Sequence, residues 1–92
     1  MYRPSPMLSR YSPQRRVIYT HLLNDRSREW TVATLAASVR RSATRESVRA
    51  TFYALIAFGM MIQIPGNHAI TARLTVDGAD ALKSLVDWWP DR

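Results

Sequence analysis

Four arginines, Arg40, Arg41, Arg45 and Arg49, fall within ten residues, interleaved with the hydroxyls of Ser42, Thr44 and Ser47. A guanidinium is a planar fork of donors that meets a phosphate or the edge of a guanine with two bonds at once. A hydroxyl adds a neutral donor to a phosphate oxygen. Arg49 has the chemistry to fork onto guanine, and Arg45 to do that or to hold a phosphate. Glu46 and Arg49 also stand three apart, the spacing of an intrahelical ion pair, so both uses of Arg49 stay open at this point. Arg15 and Arg16, preceded by Ser12, make a second basic cluster, and Asn67, His68 and Arg73 supply further donors.

The rest of the composition argues against covalent chemistry. The two histidines, His21 and His68, are far apart, the carboxylates are scattered and there is no cysteine. This leaves no metal-ligand spacing and no thiolate. The three glycines are isolated, so no glycine-rich phosphate loop exists. An enzyme is not expected, nor is a cofactor. His21 falls on the apolar side of its segment and reads as a core or boundary residue.

Thirteen basic and seven acidic residues give the 92-residue chain a net charge of +6. Residues 1–76 hold 11 arginines against Asp25, Glu29 and Glu46, whereas residues 77–92 hold four aspartates against Lys83 and Arg92. A basic body with a mildly acidic tail points to a polyanionic partner for the body. Apolar residues make up 47% of the chain, enough for one modest core. Residues 52–64 form the longest apolar stretch, and Gly59 and Gln63 interrupt it well short of the roughly 20 residues of a membrane span. The first residues lack the apolar core of a secretory signal. A cytoplasmic protein with no membrane partner is the expectation.

Helices must position these side chains, and their start signals are legible. Residues 1–11 have no period and read as a flexible basic arm, ahead of one domain over 12–92. Ser12-Pro13 is a cap followed by a first-turn proline, with Val17, Ile18, His21 and Leu22 at helical spacing after it. Thr31 caps a second helix with Val32, Leu35, Ala36 and Val39 on one face, and Trp30 precedes it as a staple. After the polar break at 40–42, Val48, Phe52, Leu55 and Ile56 mark a long helix from Thr44 that ends at Gly59. Arg45, Glu46, Ser47, Arg49, Ala50 and Tyr53 fall off that apolar stripe. Met60–Ile64 and Ala69–Leu74, joined by Pro65-Gly66-Asn67-His68, read as a β-hairpin in which Ile70, Ala72 and Leu74 share one side. Thr75 caps a last helix with Val76, Ala79, Leu82, Val86 and Trp89 on one side, which Pro90 ends. The fold class is mainly α with a small β-hairpin.

In this order, three stretches resemble winged helix-turn-helix transcription regulators of the MarR and PadR type. They are Trp30-Thr31-Val32-Ala33-Thr34-Leu35-Ala36, Ser47-Val48-Arg49 through Leu55 to Gly59-Met60, and Leu74-Thr75-Val76-Asp77-Gly78-Ala79-Asp80-Ala81-Leu82. The resemblance spans residues 12–86 and implies an α-α-turn-α-β-β-α layout that binds double-stranded DNA. It implies that the helix from Thr44 enters the major groove and that the hairpin is a wing presenting Asn67, His68 and Arg73. Arg40, Arg41, Ser42, Arg15 and Arg16 would then hold the backbone. The turn departs from the family pattern, carrying Arg40-Arg41 where a glycine or asparagine and then an apolar residue are usual.

The short form also lacks the long flanking helices that frame ligand pockets in such families, so a small-molecule effector is not expected. A transcriptional repressor acting as a homodimer is the leading reading. A replication, segregation or recombination factor of a mobile element, and a winged interaction module that does not touch DNA, are its rivals. The adjacent Trp88 and Trp89 cannot face the same way on a helix. The exposed member is a candidate dimer contact, unless both rings cover the open side of the domain.

Overall fold

Four hydroxyl residues start the four longer helices. In the computed structural model, which describes residues 6–89, the Ser12 side chain accepts from the Arg15 N–H and opens a helix over Pro13–Asn24. Thr31 accepts from the Thr34 N–H at 3.1 Å while the Thr34 hydroxyl accepts from the Thr31 N–H at 2.8 Å, a reciprocal capping box ahead of Val32–Val39. Thr44 and Thr75 cap Arg45–Ala57 and Val76–Trp88 in the same single-bond way as Ser12. With a single turn at Pro6–Ser9, the order is α1 (Pro6–Ser9), α2 (Pro13–Asn24), α3 (Val32–Val39), α4 (Arg45–Ala57), β1 (Met61–Ile64), β2 (Thr71–Leu74) and α5 (Val76–Trp88).

The end of α4 is a Schellman motif, which sets the direction of the hairpin. Gly59, at φ 76°, takes the left-handed position that a side chain would make costly. Its N–H donates to the Ile56 carbonyl and the Met60 N–H donates to Leu55 at 2.8 Å, so the last carbonyls are satisfied before the strand begins. β1 and β2 pair antiparallel with Met61 opposite Leu74 and Ile64 opposite Thr71. Trp30 adds a one-residue third rung: its N–H and carbonyl exchange both bonds with Ala72, at 2.8 and 2.9 Å. β2 therefore lies between β1 and Trp30, and the loop before α3 is tied to the sheet. The Arg28 guanidinium covers the Trp30 ring, 4.2 Å from its centroid.

One apolar core joins the elements. Ile18 and Leu22 from α2, Leu35 and Val39 from α3, Val48, Phe52 and Leu55 from α4, Met60, Ala72 and Leu74 from the hairpin and Leu82 from α5 are all buried. His21 sits half-buried at its edge, as a boundary histidine.

Several expectations are corrected here. Over residues 6–11 the N-terminal segment is docked and not a loose arm. Leu8 is fully buried, and its carbonyl accepts the Tyr19 hydroxyl at 2.8 Å. The remainder of the expected arm, 1–5, lies outside the described residues, as does Pro90. Burial pushes the pKa of the Tyr19 hydroxyl up, against a smaller lowering by the Arg15 charge. Val76 does not share the buried side of α5 with Ala79 and Leu82 but is 80% exposed, because at the first residue after the cap the stripe runs past the end of the core. Ile70 is exposed whereas Thr71 is buried, because the strand starts only at Thr71 and Ile70 belongs to the loop.

The two tryptophans part company. Trp89 is buried: its ring stacks on Tyr19 at 5.5 Å, meets the Tyr11 ring edge-on at 5.6 Å and donates its N–H to the Ser9 carbonyl at 3.0 Å. Trp88 is 78% exposed. Trp89 is thus removed from the candidate dimer contacts, since leaving the helix at the C-cap turns its ring inward.

Candidate nucleic-acid interface

The turn between α3 and α4 is built from two backbone bonds. The N–H groups of Ser42 and Ala43 both donate to the Val39 carbonyl, at 2.7 and 2.9 Å, and Ala43 is buried. Arg40, Arg41 and Ser42 are left exposed on the outside of this tight corner. A third bond comes from a distance. The Gln14 side-chain oxygen on α2 accepts from the Thr44 N–H at 2.8 Å, fixing the start of α4 against the start of α2. Gln14 was not among the residues expected from sequence. Its partner lies 30 positions away, so no local pattern could have revealed it.

From that anchored start, α4 turns Val48, Thr51, Phe52 and Leu55 inward. Arg45, Glu46, Arg49, Ala50 and Tyr53 face solvent, Thr44 is exposed at the cap and Ser47 is half-buried. The possible pair of Glu46 with Arg49 is not formed. Among the described residues Arg40, Arg41, Arg45 and Arg49 take part in no ion pair, and Arg49 lies instead over the Tyr53 ring, 5.5 Å from its centroid.

Two shallow hollows flank Arg40. One, of about 310 Å³, is floored by Ala33, Ala36, Ala37 and Ala43 and rimmed by Arg40 and Arg45. The other, of about 320 Å³, runs from Gln14 past Arg41 and Ser42 to Thr44. Both open beside the first turn of α4, where unpaired backbone N–H groups and the helix dipole favour negative charge. The first hollow sets four alanines between two arginines, and the exposed Glu46 adds a negative charge to the same first turn of α4.

The structure does not bring every expected residue to this corner. Arg15 and Arg16 are half-buried on α2, and the Arg15 Nε donates to the Arg10 carbonyl at 3.1 Å. Asn67 and His68 are exposed in the loop between the strands, where Gly66 takes φ 93°. Arg73, on β2, borders a separate groove of about 240 Å³ with Arg26, Ser27 and the exposed Val76. Among the described residues no group of histidines and carboxylates could hold a metal ion, and no helix is long and apolar enough to cross a membrane. Compared with family models, with curated proteins and with solved structures, the chain matches none.

Proposed function

We propose that the protein is a winged helix-turn-helix regulator that binds double-stranded DNA, with α4 in the major groove, and represses transcription. The observation that carries this reading is the corner itself. Four arginines unengaged in ion pairs, two on a tight turn and two on the outer face of the helix it opens, follow one another along this corner, and Arg40 and Arg45 border a hollow lined by alanines at the helix N-terminus. Element order supports it too: after the single turn of α1 come three longer helices, a hairpin with a third rung at Trp30, and a closing helix. Arg40, Arg41, Ser42 and Thr44 then hold phosphates, while Arg49 and Arg45 reach base edges and the hairpin loop with Asn67 and His68 lies along the backbone.

Binding to a random duplex is expected to weaken steeply from low to high potassium chloride, because each neutralised phosphate releases counterions. A flat response, or no binding at low salt, would falsify the DNA reading and favour an interaction module. Once a preferred site has been selected from a random library, Arg49→Ala should cost about 1–3 kcal/mol on it and little on random DNA. Full retention of site preference in that variant would move base readout elsewhere.

A single domain of this size covers few base pairs, so specificity calls for two copies on half-sites about 34–36 Å apart. The exposed Trp88 on α5 is the proposed contact between copies. Trp88→Ala should then sediment as a monomer where the wild type sediments as a dimer. Truncation before Trp88 is not equivalent, because it also removes the buried Trp89. A wild type that is monomeric at high concentration, with and without DNA, would end the dimer proposal.

A further inference from the structure

We infer that Tyr53 is a positioning residue for base readout: its ring holds the Arg49 guanidinium in place before DNA arrives. The inference rests on the DNA reading above and assigns to that site the device that makes its arginine selective. Arg49 and Tyr53 stand four apart on α4, and the Arg49 Cζ lies 5.5 Å from the Tyr53 ring centroid, within the reach of a cation–π contact. The ring is itself braced from behind. Phe52 is fully buried, and the two rings meet edge-to-face at 5.8 Å with an interplanar angle of 80°. Tyr53 is 37% exposed, so it is neither wholly in the core nor loose on the surface. The anchor in the core thus passes through Phe52 to Tyr53 and from there to Arg49.

The kind of restraint matters. An ion pair with Glu46 would hold Arg49 by occupying its N–H donors, the same donors needed for a guanine. A ring face restrains the cation through its π electrons and leaves the donors available. An arginine already confined to one region loses less side-chain freedom on docking. Ala50 and Ala57, on the same outer surface of the helix, are too short to crowd the pair. Arg49 and Tyr53 therefore project as one unit.

The test compares the wild type with Tyr53→Phe and Tyr53→Leu on three duplexes: the preferred site, the same site with the guanine read by Arg49 replaced, and random sequence. Tyr53→Phe keeps the ring and should keep the ratio of affinities between the first two. Tyr53→Leu should lower that ratio by about two- to fivefold and leave random-duplex affinity unchanged. In the free protein, the order parameter of the Arg49 Nε–Hε bond should fall in Tyr53→Leu and not in Tyr53→Phe. Equal loss in both variants would mean that the hydroxyl touches DNA directly, and an unchanged ratio in Tyr53→Leu would mean that Arg49 needs no brace. Either result overturns the inference while leaving the DNA reading standing. A wild type that binds no duplex at low salt overturns the DNA reading and the inference with it. Leucine is a good helix former at a half-exposed site, and circular dichroism checks that the variant is folded.

Discussion

Gly78→Ala should lower the unfolding free energy by about 3 kcal/mol or more, a large part of the roughly 5–10 kcal/mol available to a domain of this size. Helix propensity alone argues for the opposite sign, since alanine in place of a helical glycine should add about 1 kcal/mol. Contact with the hairpin reverses it. A Cβ on Gly78 would stand 2.7 Å from the Met60 Cα and carbonyl carbon, and closer still to the carbonyl oxygen. These are backbone atoms, so no rotamer change can relieve the clash. Nor can Met60 shift alone: its carbonyl accepts the Thr75 N–H at 3.0 Å and its N–H completes the end of α4. Relief requires the first turn of α5 to lift off the hairpin, which strips cover from Leu82 and Ala79. Urea denaturation followed by tryptophan fluorescence measures the change. A midpoint equal to or above that of the wild type would show that α5 is not seated on Met60.

The double variant Arg40→Ala, Arg41→Ala should bind every duplex more weakly and to the same extent, whatever its sequence. Each arginine that neutralises a phosphate contributes about 0.9 to the slope of log affinity against log salt. Removing two should reduce the slope by about 1.8. The affinity loss is then on the order of two hundredfold at 50 mM salt and thirtyfold at 150 mM, vanishing near 1 M. Fold stability should hardly change, because both side chains are exposed and the turn is made by backbone bonds to Val39. Fluorescence anisotropy with a labelled random duplex at several salt concentrations gives the slope directly. An unchanged slope would mean that the turn does not face the DNA.

Local chemistry carried much of the fold into view, because each of the four longer helices announces itself within four residues, whereas α1 does not. Ser12, Thr31, Thr44 and Thr75 all cap where their spacing indicates, and Gly59 closes α4. The hairpin was legible from its turn residues, although β1 starts one residue and β2 two residues later than expected. What stayed hidden depends on contacts between distant parts of the chain. Leu8 looks like an isolated apolar residue among prolines and serines until Tyr19 and Trp89 are placed around it. Val76 fits an apolar stripe by spacing, yet at the first position of its helix no other element reaches over it. At the corner proposed to meet DNA, exposure of Arg45 and Arg49 followed from the apolar period of α4, and that of Arg40 and Arg41 from the polar break before it. The grip of Gln14 on Thr44 and the contact of Arg49 with the Tyr53 ring stayed hidden, since both depend on where side chains end.

The bond from Trp89 to the Ser9 carbonyl joins residues 80 positions apart. Closing so long a stretch of chain is entropically expensive, and most of the intervening structure has to be in place before the bond stabilises anything. A bond that depends on so much prior structure is expected to be absent from the folding transition state, so that Trp89→Phe should speed unfolding and leave the folding rate unchanged. The α3–turn–α4 corner, in contrast, is closed chiefly by bonds between sequence neighbours, with Gln14 alone reaching Thr44 across 30 positions, and lies midway between Ser9 and Trp89. The corner proposed to meet DNA is thus held both by its own turn and by a lock between residues 9 and 89, where a proteolytic nick or a lost indole is expected to shorten its lifetime without touching an arginine.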